Sequence, residues 1–126
     1  MPSRDPALYL ADIVTSARAV ESFLGDRSVD AFRSEDQLAS AVHSKLIIIG
    51  EAAANLPMEI RDAVPDVDWQ ALVRFRNLVV HAYFVMNLDR VYSIARQDVP
   101  RLAASVLDYL RREHPLVAQA LEQGEA

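Results

Sequence analysis

The chain has 126 residues, of which 52% are apolar, and carries a net charge of −5. That length predicts one domain over residues 1–126 with enough apolar surface for a core, and the acidic balance argues against a general nucleic-acid coat protein. The sequence has no cysteine, which excludes disulfides and thiolate metal sites and suits a reducing cytoplasmic compartment.

The elements read as helices throughout. Only three glycines occur, and no Asn-Gly or Asp-Gly hairpin signal is present. Ser3 or Asp5 caps a first helix whose apolar residues Leu8, Ile13, Val14, Ala17, Val20 and Leu24 follow a 3.6-residue period, and Gly25-Asp26 ends it. Ser34-Glu35-Asp36-Gln37 resembles a capping box for a long second helix running to about Asn55. Pro57 opens a short third helix that stops before Pro65. Asp68 is the expected N-cap of a fourth, from Trp69 to about Tyr83, and Asn87 caps a fifth, from Leu88 to about Arg96. Pro100 either begins a new helix or kinks a long one. A short helix follows Pro115. The longest apolar run, positions 46–49, is far below a membrane span, and the N-terminus has no apolar leader. The expected architecture is an all-α antiparallel bundle of four to five helices.

Within this pattern one segment stands out. Arg76, Asn77, His81 and Tyr83 fall inside eight residues of an otherwise apolar stretch, and buried polar groups cost free energy unless paired. Charge is also uneven. Five arginines face three acids between Asp68 and Arg101, while eight basic and fifteen acidic residues make up the rest. On an ideal helix, with Arg76 at zero, Asn77 lies near about 100°, His81 near about 140° and Tyr83 near about −20°. Asn77 and His81 form an i, i+4 pair, and Tyr83 shares Arg76's face. The four do not converge as a triad in one chain. An arginine fork suits a phosphate, a histidine moves a proton near neutral pH, and an asparagine positions by hydrogen bonds. Together they suit a phosphodiester reaction in which RNA supplies its own 2′-hydroxyl. No second histidine or carboxylate lies at ligand spacing from His81, so no metal or cofactor is expected. Spacing alone is satisfied better by a core histidine, an exposed ion-paired arginine and a core tyrosine.

The segment resembles the R-x4-H-x-Y signature of HepT-like toxins in the HEPN ribonuclease superfamily, with Arg76, Asn77, His81 and Tyr83 at the matching positions. Leu46-Ile47-Ile48-Ile49-Gly50-Glu51-Ala52 is similar to the family's IGEA stretch, and Pro65, Trp69 and Arg76-Asn77 follow its order. Phe84 and Asp98-Val99-Pro100-Arg101-Leu102 also fit, so the likeness covers roughly residues 5–112. Ala82 departs from the usual glycine, and Asn87 from the usual acid. The resemblance implies a HEPN-like bundle that dimerises through its motif helices. It also implies a metal-independent endoribonuclease toxin cutting RNA by 2′-hydroxyl transphosphorylation, with Arg76, His81 and Asn77 catalytic. The implied partner is a MntA-like minimal nucleotidyltransferase antitoxin that transfers AMP onto Tyr83, in a homodimer or a higher hetero-oligomer. A single histidine per chain favours a composite site across a two-fold axis. The alternative is a non-catalytic HEPN subunit that binds nucleotide or acts as a scaffold.

Other residues carry weaker expectations. Glu51, beside Lys45 on the second helix, is expected to orient Arg76 or another arginine. Trp69 is read as core rather than a base-stacking surface, and Tyr9, Tyr92 and Tyr109 as core or bundle surface. His43 and His114 are expected in solvent. Arg90, Arg96 and Arg101 either guide RNA phosphates, bind the antitoxin, or form a solvated helix face.

Overall fold

The computed structural model describes residues 4–82 and 87–124, with side chains described for 4–77 and 87–124. Among the described residues every regular element is helical. Four longer helices, α1 (Pro6–Leu24), α3 (Asp36–Ala54), α5 (Trp69–Ala82) and α7 (Val99–Glu113), carry the architecture. Short helices α2 (Val29–Ser34), α4 (Met58–Ala63), α6 (Leu88–Ser93) and α8 (Pro115–Glu122) join or cap them. The long helices pack in a row: α5 on α3, α3 on α1, and α1 on α7. The expected all-α bundle is therefore present.

Local chemistry accounts for most helix ends. The Asp5 carboxylate accepts from the Ala7 N–H at 2.9 Å, and Pro6 occupies the first turn, where its missing N–H costs nothing. α1 then buries Leu10, Ile13, Val14, Ala17, Val20 and Leu24 along one face. It stops at Gly25, whose φ of 49° is a conformation that a side chain would resist. Asn87 accepts from the Arg90 N–H at 3.2 Å. The departure from an acid at this position keeps the cap, because asparagine and aspartate are equally good N-caps.

One expectation needs correction here. Residues 29–34 form a helix of their own, capped by Ser28 and anchored by the fully buried Phe32. Ser34 is thus absorbed into the end of α2, and its hydroxyl donates to the Ala31 carbonyl. It makes no capping box, and Glu35, the N-cap of α3, supplies no side-chain cap. Pro100 stands in the first turn of α7, the first of its two expected places. A π-helical turn over Ile94–Asp98 joins α6 to α7, and its wider winding precedes the proline, which has no N–H to give and crowds the carbonyl four residues back.

Candidate active site

The start of α5 is fixed from two directions. The Asp68 carboxylate accepts from the Ala71 N–H at 2.9 Å, as expected of an N-cap. Trp69 is buried, and its indole N–H is shared between the carbonyls of Arg61 and Val64, both at 3.1 Å. This ties the motif helix to the end of α4. Trp69 is a core residue, as its place at the helix start suggests.

Two turns further on, α5 makes an unusually close approach to α3. Gly50 is buried against Arg76, and a Cβ built on Gly50 would lie 2.3 Å from the Arg76 Cβ and 3.2 Å from the Leu72 carbonyl oxygen. No side chain fits there. The glycine lets the two backbones meet, so Arg76 leaves α5 directly beside the next residue of α3, Glu51. The Glu51 carboxylate accepts from the Arg76 Nε at 2.7 Å and lies 2.7 Å from Nη2. Arg76 Nη1 donates to the Asn77 side-chain oxygen at 2.6 Å.

Ideal helix angles separate Arg76 from Asn77. The structure joins them, because a long arginine reaches along the helix to a neighbour that its own Cβ does not face. A guanidinium has five N–H groups. Two are taken by hydrogen bonds to Glu51 and Asn77, and Nη2 also lies against the carboxylate, which leaves N–H groups on the terminal nitrogens. The arginine is thereby pre-oriented by a carboxylate and an amide, with a planar two-donor fork left for an oxyanion. Glu51 is thus the carboxylate that pairs with Arg76.

His81 lies one turn past Asn77 on the same helix. Its side chain falls outside the described residues, as does all of Tyr83.

The remaining candidates separate. His43 is buried, contrary to expectation, because α3 packs against α1, α5 and α2 and its buried arc is wider than one stripe. Burial holds its imidazole below the usual histidine range, while a backbone hydrogen bond with Ala39 opposes that shift. His114 is half-buried at the end of α7, its ring 6.2 Å from that of Tyr109. Arg96 is also structural. It donates to the carbonyls of Gly25 at 2.8 Å and Arg27 at 2.7 Å, and to the Tyr92 hydroxyl. Tyr92 in turn donates to the Arg27 carbonyl at 2.6 Å. Arg90 and Arg101 are exposed.

Comparison with known proteins gives the family of the chain. The model of the family described as ribonuclease HepT-like matches residues 13–108, and the chain belongs to that family. A protein of Methanocaldococcus jannaschii named "Putative RNase" is 33% identical over 106 residues, covering 84% of this chain and 97% of its own length. A "Probable ribonuclease HepT" from Thermococcus cleftensis is 30% identical over 94 residues, 75% of this chain and 86% of that one. A longer M. jannaschii protein, named "Gamma-glutamylcyclotransferase and putative RNase", is 31% identical over 104 residues. The match takes in 82% of this chain and 47% of that relative, so the chain spans about half of it. No solved structure matches the chain.

Proposed function

We propose that this chain is the toxin of a toxin–antitoxin pair, a metal-independent endoribonuclease. The observation that carries the reading is the Arg76 fork, held by Glu51 and Asn77 on the helix that also bears His81. Family membership and the ribonuclease names of the relatives support it.

In the proposed reaction the 2′-oxygen of one nucleotide attacks the adjacent phosphorus, and the bond to the 5′-oxygen of the next breaks. The products are a 2′,3′-cyclic phosphate and a free 5′-hydroxyl. Negative charge builds on the non-bridging oxygens, where the remaining N–H groups of Arg76 act. Because Glu51 and Asn77 hold the guanidinium in advance, little reorganisation is needed as charge develops. His81 takes the proton from the 2′-hydroxyl or returns one to the leaving oxygen. Each chain has one motif histidine, so a two-fold dimer with both motifs in one cleft supplies base and acid together. Asn77 serves twice, holding Arg76 and positioning the RNA backbone.

Control falls to a minimal nucleotidyltransferase partner that transfers AMP onto Tyr83. An added phosphate near Arg76 competes for the fork, and the attached base fills space that RNA needs.

Growth arrest on expression of the chain alone, relieved by His81→Ala, tests the activity. Equal toxicity of the variant sinks the catalytic assignment of His81. Intact mass after co-expression with the nucleotidyltransferase tests the control: AMP-sized additions are expected, and Tyr83→Phe abolishes them. Sedimentation of an active enzyme as a monomer overturns the composite site.

A further inference from the structure

The row of long helices leaves a groove. Its floor is α3, through Leu46 and Ile49, and its walls are α5 on one side and the α6–α7 rod on the other. The space is about 670 Å³, of the order that holds a small organic ligand. Phe75 from α5 and Ile94 from the rod add apolar lining.

Three arginines line this groove: Arg74, Arg90 and Arg101. All three are exposed, and among the described residues none makes a side-chain hydrogen bond or ion pair. Every other arginine of the chain has a partner. Arg4, Arg27, Arg33, Arg76, Arg111 and Arg112 pair with carboxylates. Arg18, Arg61 and Arg96 donate to backbone carbonyls. Among the described residues, the arginines without a partner are thus gathered in one place.

The groove also contains carboxylates, but two of them are engaged. Asp66 accepts from the Ser105 hydroxyl, and Asp68 caps α5. The Asp66–Ser105 contact sets the start of α5 beside the middle of α7, so the acidic end of the groove is the end far from the motif. Asp98 lies between, on the π-helical turn. Arg74 lies toward the motif end. It also precedes Asn77 by three residues and His81 by seven on the same helix, a spacing that places all three Cα positions on one stripe.

We propose that this groove is a subsite for single-stranded RNA next to the cut, with Arg74 and Arg90 holding a flanking phosphate and Phe75 and Ile94 receiving a base. The inference rests on the ribonuclease reading for its substrate. Arginine forks match phosphate oxygens, and an apolar floor beneath them suits a base that is free to leave a stack. Arg74 and Arg90 act as binding residues and take no part in proton transfer.

The test is binding of a single-stranded RNA dodecamer, measured over a range of salt concentrations, for the full chain and for the double variant Arg74→Gln, Arg90→Gln. Loss of this phosphate contact is expected to lower the salt slope by about 0.7 and weaken binding about tenfold at low salt. The change in KM for cleavage is expected to exceed the change in kcat. Arg111→Gln removes one charge from the far end of α7 and is expected to keep the wild-type slope. A double variant with the wild-type slope overturns the proposal. So does one that binds RNA normally but fails to associate with the nucleotidyltransferase, which makes the groove a protein-docking surface. Binding is read without cleavage, so RNA that is held with the expected slope dependence but never cut defeats the ribonuclease reading and leaves the groove standing.

Discussion

The Cβ of Arg76 fills the space that a Cβ on residue 50 would need, the two being only 2.3 Å apart if both existed. The position of the motif arginine is therefore set by the absence of a side chain on another helix.

Gly50→Ala should push α3 and α5 apart. The neighbouring atoms include the Leu72 carbonyl, so the strain cannot be relieved by a rotamer change alone. A loss of about 1–3 kcal/mol in stability is expected from overpacking, together with a larger fall in RNA cleavage than the stability loss explains. Chemical denaturation and cleavage assays at a temperature where the variant is folded measure the two separately. Wild-type activity would show that Arg76 does not depend on this packing.

Glu51→Gln separates orientation from stability. The side chains of Glu51 and Arg76 are 47% and 30% exposed, so water screens the pair and its contribution to folding is about 1 kcal/mol or less. Loosening the fork should nevertheless lower kcat by about tenfold to a hundredfold, the range expected when a positioned group is misplaced. Equal kcat in wild type and variant would assign Glu51 a purely structural place.

Arg96→Gln should do the reverse. Its guanidinium spans the Gly25 and Arg27 carbonyls and the Tyr92 hydroxyl, closing the α1–α2 turn onto the π-helical turn. Removing it is expected to cost about 1–3 kcal/mol through acceptors left without their donor, while the salt dependence of RNA binding stays as in wild type. A lower slope would return Arg96 to the set of phosphate contacts.

His43 gives the fold a pH dependence. Burial lowers its folded-state pKa below the unfolded value of about 6.5. The unfolded chain therefore binds the proton first, and stability falls as pH drops below that value toward the folded pKa. Melting temperatures should decline from neutral pH toward about pH 5, and His43→Gln should flatten the decline in that window. An unchanged slope would assign the effect to other groups.

The helices are largely legible in the sequence because their signals are local: the caps at Asp5, Asp68 and Asn87 and the apolar stripe of α1 are read from neighbouring residues. The helix of residues 29–34 escapes such a reading because six residues hold too little periodicity, although Ser28 and Phe32 carry its cap and anchor. For the site, the motif marks Arg76 and its link to Glu51, yet the role of Gly50 is a contact between helices that no local pattern encodes. The same holds for His43, whose burial depends on how many helices surround α3, and for Arg74. That arginine belongs to no motif and gains interest only when its neighbours across the groove are known.

The row of helices gives α5 its main support on one side, from α3, and leaves its other side facing the groove. A compound wedged into that groove would press on the motif helix beside the site and disturb the seat of Arg76 without resembling a phosphodiester. Pharmacological control of this chain can thus be sought in a groove beside the motif helix as well as at the motif itself.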